Sequence, residues 1–110
     1  MQVEVLYFDG CPTYRTAVET LREVLAEEGI EAGVELIPVN TDGEARRLRF
    51  PGSPTIRVDG EDLFLAPERE DWRLGCRVYM TPEGLKGSPT TEMLSEALAR
   101  KESGGAKGSA

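Results

Sequence analysis

The sequence predicts an α/β domain with a four-stranded mixed sheet and helices on both of its faces. Short apolar strand patterns alternate along the chain with helical patterns. The first strand pattern, residues 3–8, is largely apolar on both faces, which is typical of a central strand covered on two sides. The order strand-helix-strand-helix-strand-strand-helix then predicts two parallel strands followed by an antiparallel pair.

The first helix follows the first strand almost at once. Pro12 suits its first turn, where the missing N–H costs nothing, and Gly29 ends it. The next strand pattern covers residues 34–39, and the helix between the two strands makes them parallel. The residues that face the core from this helix recur at helical spacing: Ala17, Val18, Leu21, Val24 and Leu25.

The middle of the chain predicts a short helix and two strands. Thr41 or Asp42 caps the helix, and residues 51–52, Pro-Gly, terminate it. Residues 55–58 form the third strand, and residues 77–80 form a fourth strand antiparallel to it. The acidic stretch at residues 61–75 is an insertion between these strands.

The last helix begins after a turn region, with Thr90 or Thr91 as its cap. It points Met93, Leu94, Ala97 and Leu98 inward. Residues 1–101 then make one domain, and residues 102–110, rich in Gly, Ser and Ala, are predicted to be a flexible tail with nothing to bury.

Composition excludes several classes of function. The net charge of −7 argues against a nucleic-acid partner, and no run of about 20 apolar residues predicts a membrane span. The N-terminus shows no signal-peptide pattern, so we expect a cytoplasmic protein. The absence of histidine excludes a Ser-His or Cys-His pair, and two cysteines are too few for a closed zinc site without carboxylates. No resident metal is predicted, and the oligomeric state stays open.

Cys11 lies where the first strand stops and the first helix begins, in the segment FDGCPTY at residues 8–14. A thiol there faces the unpaired N–H groups and the positive dipole end of the helix, and both favour the thiolate. We therefore expect Cys11 to be solvent-accessible and reactive. The alternative is a small buried hydrophobic residue at a helix cap, which is common for free cysteine.

Cys11-Pro12 and the segment GSPT at residues 52–55 together resemble the thioredoxin superfamily over roughly residues 2–101. The resemblance implies a thioredoxin-like fold with Cys11 as nucleophile. It also implies a cis peptide before Pro54, whose backbone pairs with an extended peptide or glutathione. Residues implied to bind there are Pro12, Tyr14, Ser53 and Thr55.

Tyr14 stands where a thioredoxin has its second, resolving cysteine. The resemblance therefore implies monothiol exchange through Cys11, with no bound cofactor. The resolving thiol comes from glutathione as a co-substrate, from another thiol- or disulfide-containing molecule or protein, or from Cys76. The hydroxyl of Tyr14 either bonds the sulfur or a ligand, or the ring is simply a surface aromatic.

Cys76 shares strand parity with Val78 and Met80, which predicts an inward side chain. An antiparallel register between the third and fourth strands carries it about 13 Å from the Cys11 end. A disulfide needs Cα atoms within about 7 Å. A core cysteine is therefore favoured, with a second reactive thiol as the alternative.

Two further functions remain open beside thiol–disulfide exchange. The FDGCP start and the Cys-Arg-x-Tyr pattern at residues 76–79 are similar to short proteins loosely labelled alkylmercury lyase. That similarity implies a soft-ligand site for mercurials, copper(I) or arsenicals. The other alternative is a non-catalytic interaction scaffold, because a fold alone does not decide function.

Overall fold

The computed structural model describes residues 1–64, 72 and 74–108, with side chains through Lys101. These residues form a four-stranded mixed sheet, a separate two-stranded sheet and three helices. The strands are β1 (Val3–Tyr7), β2 (Val34–Pro38), β3 (Thr55–Val58), β4 (Glu61–Asp62), β5 (Tyr79–Thr81) and β6 (Gly84–Lys86). The helices are α1 (Tyr14–Glu27), α2 (Asp42–Leu48) and α3 (Thr91–Gly108).

The larger sheet has the strand order β2-β1-β3-β4. Strand β1 is parallel to β2 and antiparallel to β3, so that Val5 pairs with Leu36 on one side and with Ile56 on the other. The mixed α/β class and the central position of β1 are therefore confirmed. The central position follows from the apolar residues on both faces of this strand.

Helices cover both faces of this sheet. Val3 and Val5 of β1 pack on one side with α1 and α3, whereas Leu6 points the other way and packs with Phe50, just after α2. Complete burial of one such aliphatic side chain contributes about 1.5–3 kcal/mol. The two clusters on the two faces therefore fix β1, and with it the loop that carries Cys11, between two packed layers.

Two predicted helix caps are present. Thr41 Oγ1 accepts a hydrogen bond from Glu44 N at 3.1 Å, and Thr90 Oγ1 accepts one from Met93 N at 3.2 Å. Each hydroxyl satisfies one of the N–H groups that a helix start leaves without a partner. Helix α2 ends at Leu48, and its C-cap Arg49 has a left-handed φ of 51°, just before the loop that leads to Ser53.

The predicted fourth strand is wrong. Residues 77–80 do not join the larger sheet, because β4 follows a turn at residues 59–60 and takes the free edge of β3, with Arg57 paired to Asp62. Strand β5 instead pairs with β6 as a separate hairpin. Part of the predicted insertion, residues 65–71 and 73, lies outside the described residues.

Helix α3 continues as helical backbone to Gly108, into the segment predicted to be a flexible tail. The separation of that tail from the domain stays a prediction. Along the inner side of α3, Leu94 and Leu98 are completely buried, as their spacing predicts. In the described ranges, no helix is both long enough and apolar enough to cross a membrane.

Candidate thiol site

Cys11 lies in a tight turn after β1, in which its N–H donates to Phe8 O at 3.0 Å. Thr13 is the cap of α1, so Cys11 and Pro12 precede the helix instead of forming its first turn. The exposed fraction of Cys11 is 3%, so the expectation of a solvent-accessible Cys11 is wrong. The residue is covered because distant parts of the chain, described below, converge on its sulfur.

The Cys11 sulfur has several hydrogen-bond partners. It lies 3.4 Å from Thr13 Oγ1, and its S–H donates to Ser53 O at 3.6 Å. Burial raises the pKa of the Cys11 thiol. Hydrogen bonds from the Ser53 and Thr13 side chains and from the backbone of Thr13 and Tyr14 lower this pKa by more than burial raises it. The net effect is a pKa below the ordinary value for cysteine, and the two backbone donors are at the start of α1.

Thr13 connects Cys11 to the end of the β5–β6 hairpin. Its hydroxyl donates to Gly87 O at 3.0 Å. A Cβ on Gly87 would lie 2.7 Å from Thr13 Cγ2, so only glycine allows this close approach. A hydroxyl has one hydrogen to donate, so the Thr13 hydroxyl cannot donate to Gly87 O and to the Cys11 sulfur at the same time.

The Ser53–Pro54 peptide is cis, and both residues are buried. Ser53 Oγ accepts a hydrogen bond from Phe8 N at 3.4 Å, which connects this loop to the turn before Cys11. The backbone of Ser53 is already paired within the chain. Its N–H donates to Gly75 O and its carbonyl accepts from Arg77 N, both at 2.9 Å. These are the backbone groups that the thioredoxin resemblance assigns to a substrate peptide.

Cys76 lies between these two hydrogen bonds, and its backbone therefore runs beside Ser53. The side chain is exposed. Desolvation, the negative charge of Cys11 and a hydrogen bond with Cys11 all raise the pKa of the Cys76 thiol. The predictions of a core cysteine and of a position far from Cys11 are therefore wrong. Both assumed a strand in the larger sheet, which residues 77–80 do not form.

Arg77 and Tyr79 anchor the segment that carries Cys76. The guanidinium of Arg77 is buried, donates to Asp62 Oδ2 at 2.7 Å and to Phe64 O at 2.9 Å, and lies 4.7 Å from the centre of the Tyr79 ring. Tyr79 Oη donates to Pro54 O at 2.6 Å. Both side chains thus connect the Cys76 segment to residues around β3. The Cys-Arg-x-Tyr pattern was the sequence signal for this contact, although its spacing does not reveal the partners.

Gly52 permits the close approach of this segment. A Cβ on Gly52 would lie 2.9 Å from Arg77 Cβ and 3.0 Å from Arg77 N, which is closer than real Cβ atoms approach other atoms. Its φ of 132° also lies in a region that favours glycine. Gly52 belongs to the sequence motif with Ser53, but no local pattern predicts this packing role.

The other predicted site residues differ in how close they lie to the Cys11 sulfur. The Tyr14 ring stacks on Tyr7 with centroids 4.2 Å apart, and its hydroxyl accepts from Arg15 Nε at 3.3 Å, so Tyr14 reaches Cys11 through its backbone. Pro12 is exposed beside Cys11. Thr55 is completely buried and donates to Gly52 O at 2.5 Å, so it supports the loop from within.

The site therefore brings together two thiols of unequal acidity, one covered and one exposed. Such a pair supports disulfide exchange, or the binding of a soft metal ion between two sulfurs. Within the described residues, no three Cys, Asp or Glu side chains come together as a metal-binding group. Comparison of the chain with protein-family models, with curated proteins and with solved structures finds no match.

Proposed function

We propose that this chain is a thioredoxin-like thiol–disulfide exchange protein whose redox pair is Cys11 and Cys76. The observation that carries the proposal is that both cysteines lie against Ser53: Cys11 Sγ donates to Ser53 O at 3.6 Å, and the Cys76 backbone forms a β-bridge with Ser53. The thioredoxin resemblance implies monothiol exchange, because Tyr14 replaces a resolving cysteine. Cys76 supplies that second thiol from a distant part of the chain.

The strand order and the helix placement support the thioredoxin-like part of the proposal. Two parallel strands, β2 and β1, are followed by the antiparallel β3 and β4, and helices lie on both faces. Cys11 follows the central strand and precedes a helix, which is where the resemblance places the nucleophile.

The reaction needs both sulfurs. One thiolate of the pair attacks an external disulfide, RS–SR, so that a mixed disulfide forms and one RS⁻ leaves. The second sulfur of the pair then attacks the mixed disulfide and expels the other RS⁻. The external disulfide gains two electrons, the pair becomes a Cys11–Cys76 disulfide, and the two thiol protons end on the released thiols.

The test is oxidation of the reduced protein by glutathione disulfide, followed by digestion without reductant and mass spectrometry. We expect a peptide pair linked through Cys11 and Cys76, and a two-electron transition in glutathione redox buffers. Cys11→Ser and Cys76→Ser are matched controls, and each should abolish that transition. Glutathione attached separately to both thiols, without a link between them, would contradict the redox pair and support monothiol exchange. Two unreactive thiols would favour the scaffold interpretation.

A second candidate function is the binding of a soft metal ion. Thiolates select ions such as copper(I), and two of them suffice for a two-coordinate ion. The placement of both cysteines beside Ser53 favours this candidate. Titration with mercury(II) should then give one ion per chain at high affinity, and either single serine variant should lose most of that affinity. Unchanged affinity in both variants would exclude a shared site.

A further inference from the structure

We infer that exchange at this pair is regioselective: external sulfur compounds react at Cys76 Sγ, and Cys11 serves as the internal partner. This inference rests on the proposed redox pair. It differs from the order expected from the sequence, in which Cys11 is the first nucleophile. The substrates it implies are thiols and disulfides that offer an unhindered sulfur to an exposed cysteine.

The two residues differ sharply in exposure. Cys11 is 3% exposed, whereas Cys76 is exposed together with its neighbours of the same parity, Val78 and Met80. Exchange requires direct contact between the attacking sulfur and the sulfur that it attacks. In this conformation an external reagent can make that contact at Cys76 but not at Cys11.

The surroundings of the Cys11 sulfur also oppose direct attack there. Thr13 Oγ1 at 3.4 Å and Ser53 O at 3.6 Å lie against it, and Ser53 is itself completely buried. The Cys76 backbone is bridged to the same Ser53. An incoming thiolate would have to displace the buried Ser53 loop or the start of α1 to reach Cys11.

The Ser53 backbone does not recruit a substrate in this arrangement. Its N–H and carbonyl already pair with Gly75 and Arg77, the two neighbours of Cys76. A peptide that paired with Ser53 would have to displace the segment that carries the second thiol. Recognition through the exposed Cys76 sulfur needs no such displacement, so an extended polypeptide is not required as substrate.

Reduction of the Cys11–Cys76 disulfide takes two exchange steps, each with one external thiolate. An external RS⁻ attacks Cys76 Sγ, an S–S bond forms between them, the Cys11–Cys76 bond breaks, and Cys11 leaves as a thiolate. A second RS⁻ attacks the external sulfur of the mixed disulfide and expels Cys76 as a thiolate, which takes up a proton. The Cys11 thiolate takes up the second of the two protons that the external thiols released. Two RSH have then become RSSR, and the protein has gained two electrons and two protons.

Leaving-group chemistry favours the same order. A thiol with a lower pKa leaves faster, and the hydrogen bonds around Cys11 lower its pKa while its neighbour Cys76 has a raised one. In the reverse direction Cys76 attacks an external disulfide, and the Cys11 thiolate resolves the mixed disulfide from within. The same exposed sulfur therefore serves both directions.

The first measurement uses the oxidised wild-type chain and reduced glutathione. After a short reaction the mixture is quenched with acid, free thiols are blocked with N-ethylmaleimide, and the products are located by mass spectrometry. We expect glutathione on Cys76 with maleimide on Cys11, in excess of the opposite product by about tenfold. Equal amounts, or an excess of glutathione on Cys11, would overturn the inference.

The second measurement needs no protein disulfide. Cys11→Ser leaves Cys76 as the lone thiol. Cys76→Ser leaves Cys11 as the lone thiol, and the serine side chain at position 76 is nearly as large as the cysteine that it replaces. Rates with an aromatic disulfide are compared at their high-pH plateaus, where each thiol is fully ionised. We expect the Cys76 thiolate to react faster by about tenfold or more. A faster Cys11 overturns the regioselectivity, whereas failure of the wild-type chain to form a disulfide overturns the redox pair itself.

Discussion

The Cys11 thiol is subject to two opposing effects at the scale of a single residue. Burial at 3% exposure raises its pKa, and hydrogen bonds from Ser53, Thr13 and Tyr14 lower it. One pKa unit corresponds to about 1.4 kcal/mol, and a hydrogen bond to a charged group contributes about 1.5–3 kcal/mol. A few such bonds are therefore enough to outweigh the desolvation of this sulfur.

Thr13→Val tests the hydroxyl in this balance. The variant removes one donor to the Cys11 thiolate, so we expect the pKa of Cys11 to rise. Thr13 makes no side-chain cap bond to α1, so the stability lost should be limited to its bond with Gly87, about 0.5–1.5 kcal/mol. The measurement is thiolate absorbance against pH in a Cys76→Ser background.

Thr13→Ser is the matched control, because it keeps the hydroxyl and removes only a methyl group. The pKa of Cys11 in this serine variant should remain close to its value in the protein that keeps Thr13. Equal pKa values in the valine and serine variants would contradict a role for the hydroxyl, and would leave the backbone donors and Ser53 as the cause.

At the scale of an element, residues 76–80 show why the site was only partly predictable. Val78 and Met80 are 60% and 81% exposed, whereas Arg77 and Tyr79 are buried. Hydrophobicity alone predicts that Val78 and Met80 point inward and that Arg77 points outward. The prediction from the sequence relied on this pattern. The observed parity is set by Asp62 and by the Pro54 carbonyl, which bond to Arg77 and Tyr79. No local pattern encodes those distant partners.

Elements with local periodicity were predictable. The apolar spacing of α1 and the two apolar faces of β1 lie in neighbouring residues, and both elements formed as expected. The start of α1 was predicted only approximately, because Pro12 was expected in its first turn and the helix begins at Tyr14. The cover over Cys11 was not predictable, because Ser53 reaches its sulfur from 42 positions along the chain.

Gly52→Ala tests the close packing of the Cys76 segment. The added Cβ would lie 2.9–3.0 Å from Arg77 atoms, two of them backbone, so the segment must move away from Ser53. We expect a loss of stability of about 1–3 kcal/mol and slower formation of the Cys11–Cys76 disulfide. The measurements are urea unfolding and oxidation by glutathione disulfide.

Gly60→Ala provides the matched control for backbone strain. Gly60 also has a positive φ, 86°, but its added Cβ would meet nothing within 4 Å. The control should lose about 1–2 kcal/mol through strain and should oxidise at the wild-type rate. Equal oxidation rates in both alanine variants would show that Gly52 does not control the distance between the thiols.

At the scale of the whole molecule, the two thiols lie next to different sheets. Cys11 follows the central strand β1, and Cys76 belongs to the segment before the separate β5–β6 hairpin. Positions 11 and 76 are 65 residues apart, because 76 − 11 = 65. A disulfide that closes a loop of this length stabilises a fold by about 4 kcal/mol in the chain-entropy model.

The difference in unfolding free energy between the oxidised and reduced proteins should therefore depend on pH. In the reduced protein, the lowered pKa of Cys11 stabilises the fold fully above the unfolded value of about 8.5, and this contribution is lost as pH falls through the folded pKa. The raised pKa of Cys76 affects the stability of the reduced protein in the opposite direction along the pH scale. Its contribution is present below about 8.5 and is lost as pH rises through the folded pKa.

We thus expect the advantage of the oxidised form to narrow as pH rises towards about 8.5, and to widen again above it. Urea unfolding of both redox forms across this range is the measurement. Burial, the largest cause, raises the pKa of Tyr79 in both forms, so this part of its alkaline contribution cancels in the difference. Cys11→Ser, which lacks the ionising thiol, should lose the pH dependence of reduced stability that Cys11 causes below about 8.5. An oxidised advantage that grows steadily from neutral pH upward would contradict the hydrogen-bonded Cys11 thiolate, because only a thiol with a raised pKa loses stability in that direction.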